Sequence, residues 1–274
     1  MTDFYKYHGT GNDFIMMNNL DQAITLSPEL IKKYCDRHFG IGADGIILLE
    51  SSSTADCFMN YYNSDGTLAE MCGNGVRCTA QFYLEQTKLN LKELNIETRA
   101  GVKNIKVNND DTYSVNIGAP TFESPDFPSQ SINLEGFDFN CVSMGNPHAV
   151  ALVSNLNEIN LKNVGPKIEN NENFPNKINV EFVEKIMDDY FRVKVWERGC
   201  GVTLACGTGA CAVYAILNCV RQDLTQRQLS LKRSLELEEI TLEFPGGKLY
   251  LSQNSEGQIM LRGPATFVFE GKIE

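Results

Sequence analysis

The chain carries the pattern Cys-Gly-x-Gly twice, at residues 72–75 and 206–209, and the two cysteines lie 134 positions apart (206 − 72). Since the chain has 274 residues, this offset is close to half its length. The same offset relates Asn12 to Asn146. The repeat predicts two duplicated halves related by a pseudo-twofold axis, with one thiol from each half reaching a shared site.

The composition is typical of a globular chain, with 42% hydrophobic and 22% charged residues and a net charge of -11. No block of lysine and arginine stands out, so neither a nucleic acid nor an anionic membrane is expected as a partner. The N-terminal segment has no apolar signal core, and no apolar run is long enough to span a bilayer. We therefore expect a soluble cytoplasmic protein.

The nine cysteines are an odd number in a chain without a signal peptide, which argues against a disulfide framework. The intervals 72–78 and 200–206 do not match structural zinc spacings, so no metal site is predicted. The cysteines outside the first position of each motif are expected to be structural: Cys35, Cys57, Cys78, Cys141, Cys200, Cys211 and Cys219.

Short alternating or β-branched segments bounded by Gly, Asn, Asp or Pro predict many strands. One helix is expected from Ser27-Pro28 to about His38, and two more begin at the Cys-Gly-x-Gly motifs. Residues 210–220 are apolar nearly all round, so that helix must be buried. The predicted fold class is α+β. It has two pseudo-symmetric lobes, each a curved, mostly antiparallel sheet or barrel around a central helix, with the active site in the cleft between them.

The prolines and polar residues of segment 119–135 predict the boundary between the halves. The N-terminal lobe is expected to comprise residues 1–118 with Cys72, and a C-terminal strand at about 264–274 returns to it. The C-terminal lobe is expected to comprise residues 119–263 with Cys206. The asparagine-rich stretch 170–176 predicts an exposed loop.

Each motif is predicted to open a helix, where unpaired backbone N–H groups and the helix dipole favour negative charge. Such a helix start can hold a carboxylate without lysine or arginine. The same field favours thiolate over thiol, so a lowered cysteine pKa is expected. Two facing motifs would supply a base on one face of a carbon and an acid on the other, which suits inversion of a carbon centre.

Four segments occur in the order typical of one family: HGTGNDF at 8–14, MCGNGVRC at 71–78, MGNPH at 144–148 and ERGCGVTLACGTGACA at 197–212. The chain resembles diaminopimelate epimerase from about residue 3 to the GPA at 263–265. The resemblance implies an amino acid epimerase that uses no cofactor and, in particular, no pyridoxal phosphate (PLP). It would interconvert LL- and meso-diaminopimelate with two cysteines, in lysine and peptidoglycan precursor synthesis. Homodimers are the commonest oligomers of soluble enzymes, so a homodimer is expected.

By this resemblance Cys72 and Cys206 are the acid/base pair, with Cys206 as proton acceptor and Cys72 as donor in the LL-to-meso direction. His148 and Glu197 would lie beside the thiols and tune their titration. Residues expected to contact the substrate, several at its distal end, are Asn12, Asn63, Gly73, Asn74, Asn146, Asn179, Glu197, Arg198, Gly207 and Thr208. Position 45 is glycine where some family members have a substrate-contacting glutamine, so no side-chain role transfers to Gly45.

Each assignment also has a plain structural interpretation. Asparagines in Gly-Asn turns usually cap the backbone, Arg198 could form a surface ion pair, His148 could hold a turn, and Glu197 could cap a bulge. Two other functions remain open: a proline or hydroxyproline racemase, and a scaffold that only binds amino acids or a metal. Those racemases usually have histidine after the first Cys-Gly, where this chain has Asn74.

Overall fold

The computed structural model describes residues 1–227 and 239–273, and it has the sheet-rich α+β fold that the sequence predicts. The chain divides into two compact units. The first contains Met1–Asn116 and Arg262–Glu274, and the second contains Ile117–Leu261. Residues 228–238 of the predicted C-terminal lobe, and residue 274 of the predicted final strand, lie outside the described residues.

The elements before residue 117 are β1 (Thr2–Gly9), β2 (Asn12–Asn19), α1 (Pro28–Cys35), β3 (Gly45–Glu50), β4 (Cys57–Asn63), α2 (Gly73–Thr87), β5 (Glu93–Thr98), β6 (Gly101–Val107) and β7 (Thr112–Gly118), the last of which ends just beyond it. There follow β8 (Ile132–Leu134), β9 (Phe137–Ser143), β10 (Pro147–Val153), a short 3-10 helix (Leu156–Glu158), α3 (Leu161–Glu169), β11 (Asn179–Lys185), β12 (Tyr190–Glu197), β13 (Gly201–Thr203), α4 (Gly207–Arg227), β14 (Ile240–Phe244) and β15 (Gly247–Gln253). The chain ends with β16 (Ile259–Pro264) and β17 (Thr266–Ile273).

The first unit is a mixed sheet that surrounds α2. Strand β1 pairs antiparallel with β17 and β2, β2 pairs parallel with β3, and β3 pairs antiparallel with β4. The sheet continues through a parallel β4–β5 pair and antiparallel β5–β6 and β6–β7 pairs. Helix α2 contacts β1 to β5, and its apolar residues from Val76 to Tyr83 are buried against them.

The second unit repeats this arrangement around α4. Strand β9 pairs antiparallel with β8 and β10, β10 pairs parallel with β11, and β11 pairs antiparallel with β12. Strand β12 also pairs with β13 and with β14, which pairs with β15. Residues 210–218 of α4 are buried on all sides, as predicted, and the helix contacts β9, β10, β11 and β15.

The sequence repeat is present in the strand register. In the first unit Phe14 lies opposite Gly45 in the parallel β2–β3 pair, and in the second His148 lies opposite Asn179 in the β10–β11 pair. Both positions of the second pair lie 134 residues after those of the first. The antiparallel pairs β3–β4 and β11–β12 keep the same offset, and so do the starts of α2 and α4. The two units therefore contain the same supersecondary unit, with each motif cysteine directly before its central helix.

The first helix is shorter than the sequence predicts, because α1 ends at Cys35 and not at about His38. Asp36 has an extended backbone, and its carboxylate accepts hydrogen bonds from the backbone N–H groups of His38 and Phe39. An aspartate that bonds the backbone two and three residues ahead stabilises a turn in place of a further helical turn. The N-terminal prediction is confirmed, since the Ser27 side chain caps α1.

Helix α3 was not predicted from the sequence. It contains Gly165 and Pro166, two residues that normally argue against a helix. A Cβ at position 165 would lie 2.5 Å from the Trp196 ring, so glycine is needed for this helix to pack closely on β12. Among the described helices, none is both long enough and apolar enough to cross a membrane.

Candidate active site

Cys72 lies at the N-terminal end of α2, with an extended backbone at φ -141 and ψ 123. Its side chain is half-buried, and its thiol donates a hydrogen bond to Asn12 Oδ1 over 3.3 Å. Asn12 begins β2, next to the turn from β1. The structure therefore brings together two predicted site residues that are 60 positions apart, and the amide oxygen of Asn12 favours the protonated thiol of Cys72.

A hydrogen-bond network fixes the orientation of the Asn12 amide. Its Nδ2 donates to Asp44 Oδ2 at 2.7 Å, and its Oδ1 also accepts from Asn74 Nδ2 at 3.3 Å. Asp44 in turn accepts from Arg37 at 2.7 Å. Because Asp44 can only accept when ionised, the amide nitrogen of Asn12 must face it and the oxygen must face Cys72.

Arg77 holds the first turn of α2 and was not identified from the sequence as a site residue. It is fully buried, and its guanidinium donates to Asn74 Oδ1 at 2.9 Å and to the carbonyls of Gly73 and Pro264. A buried guanidinium with several acceptors is a rigid anchor. It therefore fixes the Asn74 side chain and the backbone beside Cys72.

Asn63 is the last residue of β4, but its side chain bonds within the following turn. Its Nδ2 donates to Thr67 Oγ1 at 3.0 Å, and its backbone N–H donates to the Thr67 carbonyl. The plain turn-capping interpretation describes these contacts. A substrate contact by Asn63 stays a prediction.

Gly45 faces Asn63 across the β3–β4 pair and has no room for a side chain. A Cβ there would lie 2.4 Å from the Tyr62 carbonyl oxygen and 2.6 Å from the Tyr61 ring. This close packing leaves no space for a side chain such as the glutamine that some family members have at this position.

Cys206 directly precedes α4 and is almost fully buried, with 6% of its surface exposed. Its Sγ accepts a hydrogen bond from the Gly209 backbone N–H at 3.3 Å and lies 3.5 Å from Thr208 Oγ1. Burial, followed by the carboxylates of Glu197 and Glu181, raises the pKa of Cys206 well above its usual value. The expectation of a lowered pKa is therefore wrong for Cys206, because desolvation and two nearby carboxylates outweigh the helix N-terminus.

Glu197 ends β12, and its carboxylate interacts electrostatically with the Cys206 thiol. Its Oε1 accepts a hydrogen bond from the Thr203 hydroxyl. Burial is the main cause that raises the pKa of Glu197, with a further contribution from the Glu181 charge. A carboxylate with increased proton affinity, near a thiol, can take the proton of that thiol.

His148 lies in β10 and is fully buried. Its Nδ1 is 2.8 Å from Glu181 Oε1, and its Nε2 is 3.1 Å from Asn146 Oδ1. The structure thus brings the predicted residues His148 and Asn146 into direct contact. It also places Glu181, which sequence reasoning missed, at the other ring nitrogen of His148. The available signal was a charged residue inside the otherwise apolar segment 180–183 of β11.

Asn179 positions the backbone of Arg198. Its Oδ1 accepts from the Arg198 backbone N–H at 2.9 Å, and its Nδ2 donates to the Pro147 carbonyl at 2.8 Å. The Arg198 side chain is exposed, and its Nη1 donates to the Asn176 carbonyl at 3.0 Å. Asn179 is buried and bonded to backbone on both sides, whereas the Arg198 side chain is exposed, and a substrate contact by either residue stays a prediction.

The other seven cysteines, which the sequence predicts to be structural, differ in their burial. Burial raises the pKa of Cys35, Cys57, Cys78 and Cys141 to about 12. Cys200 is exposed, Cys211 is buried and Cys219 is half-buried. Within the described parts of the chain, no group of three or more His, Cys, Asp or Glu residues is arranged to hold a metal ion.

Comparison with known proteins identifies the family. The family model described as diaminopimelate epimerase matches residues 4–123 and 140–268. A diaminopimelate epimerase of Cyanothece sp. is 41% identical over 98% of this chain and 99% of its own length. One of Methanococcus maripaludis strain C5 is 39% identical over 99% of both chains.

Solved structures with low sequence identity share the fold. A phenazine biosynthesis protein of the PhzF family from Bacillus anthracis matches with a TM-score of 0.68 at 20% identity, over 100% of this chain and 99% of its own. A hydroxyproline epimerase from Agrobacterium vitis matches with a TM-score of 0.62 at 14% identity, over 98% of this chain and 91% of its own. The sequence matches and this fold agree, and the chain belongs to the diaminopimelate epimerase family.

Proposed function

We propose that the chain interconverts LL- and meso-2,6-diaminopimelate without a cofactor, by proton transfer through Cys72 and Cys206. The family relationship supports the substrate. The observation that carries the mechanism is the burial of the Cys206 thiol at the start of α4, within the electrostatic influence of Glu197, a carboxyl group whose pKa burial raises. Such a pair can form a thiolate in a dry site by moving one proton from the thiol to the carboxylate.

In the LL-to-meso direction, the Glu197 carboxylate takes the proton of Cys206. The Cys206 thiolate then removes the α-proton of the substrate, so that an S–H bond forms and a C–H bond breaks. The electron pair moves onto the α-carboxylate. The Cys72 thiol, held as a donor by Asn12 Oδ1, gives its proton to the opposite face of the carbon. The product carries the inverted centre, Cys72 is left as the thiolate, and the reverse reaction exchanges the two roles.

The α-carboxylate is the group that must be stabilised, because its negative charge grows as the α-proton leaves. Backbone N–H groups at the two helix starts, from Gly73 and Asn74 and from Gly207 and Thr208, are proposed to hold it. These donors are fixed before the substrate binds, which removes the cost of reorganisation. Asn12, Asn63, Asn146, Asn179 and Arg198 are proposed to meet the other polar groups, directly or through the backbone they hold.

Proton NMR in D₂O tests this function. Reduced enzyme is expected to exchange the α-proton of LL-diaminopimelate for deuterium and to form the meso isomer. L-Proline and trans-4-hydroxyproline are the control substrates, and they are expected to keep their α-protons. If the enzyme exchanges the α-proton of proline but not that of diaminopimelate, the chain would instead be assigned to the proline racemases.

We also propose that the enzyme is a cytoplasmic homodimer. Reduced thiols persist in the cytoplasm, and the two catalytic cysteines must stay reduced. Three consecutive apolar residues of β17, Phe267, Val268 and Phe269, are 43–50% exposed and offer a surface for a second copy. Sedimentation velocity of the reduced protein tests the dimer, and a concentration-independent monomer would contradict it.

A further inference from the structure

Glu181 is a fully buried carboxylate in the middle of β11, and the proposed reaction gives it no part. Its Oε1 lies 2.8 Å from His148 Nδ1, and both side chains are fully buried. Its Oε2 has no hydrogen-bond partner among the described residues. A buried carboxylate with one unsatisfied oxygen destabilises the folded state when its charge is not compensated, so Glu181 must either be neutral or have a cationic neighbour.

The surroundings of Glu181 are the first turn of α4 and the neighbouring strands. A Cβ at Gly209 would lie 2.5 Å from Glu181 Oε1, so the carboxylate packs directly against the helix start that follows Cys206. The titratable groups that face Glu181 are His148, Glu197, Cys206 and Cys141. His148 is the one group of this set that can carry a positive charge.

The buried pair of Glu181 and His148 must be neutral as a whole, because an uncompensated charge in a dry interior is strongly unfavourable. Two arrangements meet this condition. Either Glu181 is ionised and His148 is an imidazolium, or Glu181 is protonated and donates to a bare Nδ1. In both arrangements the Nε2 atom of His148 carries a proton.

A protonated Nε2 determines which way the Asn146 amide faces. The donor at Nε2 needs an acceptor, and Asn146 Oδ1 lies 3.1 Å away. The amide nitrogen of Asn146 must then point the other way. It makes no hydrogen bond to the described residues, and the side chain is only half-buried. Its two N–H donors are therefore free for a ligand.

We propose that Glu181 is a positioning residue: it keeps the proton on His148 Nε2, which turns the NH₂ group of Asn146 outward to bind a carboxylate oxygen of the ligand. The identity of that ligand as diaminopimelate rests on the proposed function. The positioning itself is independent of the ligand. If Nε2 were bare, Asn146 would turn over and present its oxygen, which attracts an ammonium group and repels a carboxylate.

Nitrogen-15 NMR of the histidine rings tests the positioning without any substrate. The chain has three histidines, and a His148→Asn sample identifies the signals of His148. In the wild-type protein at neutral pH, Nε2 of His148 is expected to be protonated. A bare Nε2 there would overturn the proposal, and this measurement needs no variant at position 181.

Glu181→Gln tests the consequence for binding. A glutamine can accept from Nδ1–H or donate to a bare Nδ1, so it no longer selects the tautomer of His148. The variant is expected to lose the exclusive Nε2 protonation and to raise KM for LL-diaminopimelate about tenfold, as for one lost hydrogen bond. Unchanged tautomer and KM would contradict the proposal.

Glu184→Gln is the matched control, because Glu184 lies on the same strand and forms an ion pair with Arg192. It is expected to leave the His148 signals and KM unchanged.

If the wild-type protein does not epimerise diaminopimelate, the proposed function fails, and the nitrogen-15 measurement still decides the role of Glu181. If the enzyme is active but Nε2 is bare, the function stands and the positioning role falls.

Discussion

The two motif cysteines occupy the same position in the repeat but have different surroundings. Cys72 is half-buried and its thiol donates to an amide oxygen. Cys206 is buried beside two carboxylates. An amide oxygen and a carboxylate both accept the thiol proton, but only the carboxylate can take it away. In the proposed mechanism, Glu197 is therefore the group that takes the proton of Cys206.

Replacing either cysteine by serine is expected to lower kcat by about 10³-fold or more, because a hydroxyl is a far weaker acid and base than a thiol. The fold is expected to remain, since serine is close to isosteric. Circular dichroism and the NMR assay measure the two effects. Cys200→Ser is the control, because Cys200 is exposed and is expected to be dispensable. Turnover near the wild-type level in Cys72→Ser or Cys206→Ser would rule out the two-thiol mechanism.

Glu197 is expected to limit activity at low pH. Burial raises its pKa above the usual range of a carboxyl group, and it must be ionised to accept the Cys206 proton. kcat/KM is therefore expected to rise with pH through a transition above the ordinary glutamate pKa of about 4.3. Glu197→Gln should remove this acidic limb and lower kcat at every pH. An acidic limb that persists in the variant would assign the transition to another group.

The sequence predicts which residues carry the chemistry at this scale but not their hydrogen-bond partners. Both cysteines, His148 and Glu197 follow from the repeat and the family segments. Glu181 and Arg77 do not, because their importance comes from complete burial and from contacts that only the tertiary fold creates. Asn63 is the opposite case, because a residue that the resemblance assigns to the substrate forms a local turn contact in the structure, and its substrate contact stays a prediction.

At the scale of elements, the repeat specifies a unit of two parallel strands, an antiparallel third and a central helix. The sequence predicts where α2 and α4 begin because the glycine-rich motif has a local conformational meaning. It does not predict α3, because the local preferences of Gly165 and Pro166 oppose a helix and packing on Trp196 overrides them. The sequence also predicts too late an end for α1, because the turn stabilised by Asp36 replaces the last helical turn that was expected.

The equivalent glycines of the two motifs are expected to differ in their tolerance of alanine. A Cβ at Gly209 would lie 2.5 Å from the buried Glu181 carboxylate, whereas at Gly75 its nearest neighbour is the flexible end of Ile47 at 3.1 Å. Gly209→Ala is expected to lower the free energy of unfolding by about 1–3 kcal/mol through overpacking. Gly75→Ala is the matched control and is expected to be nearly neutral, because the gain in helix propensity offsets the small shift. Equal effects in urea denaturation would contradict this.

At the scale of the whole molecule, both units bury thiols that have no role in the proposed reaction. Burial raises the pKa of Cys35, Cys57, Cys78 and Cys141 to about 12. In the unfolded chain these thiols titrate near about 8.5. The folded protein therefore keeps protons that the unfolded chain releases, so the stability is complete below about pH 8.5 and falls as the pH rises towards 12.

The protein is accordingly expected to unfold in moderately alkaline solution. Each thiol lowers the free energy of unfolding by about 1.4 kcal/mol per pH unit in this range, and four together by about 5 kcal/mol per unit. Against a typical total of about 5–15 kcal/mol, cooperative unfolding is expected between about pH 9.5 and 11. Urea denaturation at a series of pH values, with reductant present, measures the slope.

Two variants separate the buried thiols from other alkaline effects. Cys57→Ala removes one buried thiol and is expected to reduce the slope by about 1.4 kcal/mol per pH unit, whatever its effect on the stability at neutral pH. Cys200→Ala removes an exposed thiol and is expected to leave the slope unchanged. A free energy of unfolding that stays constant from pH 8 to 10 would show that the buried thiols ionise without unfolding. That result would contradict the prediction.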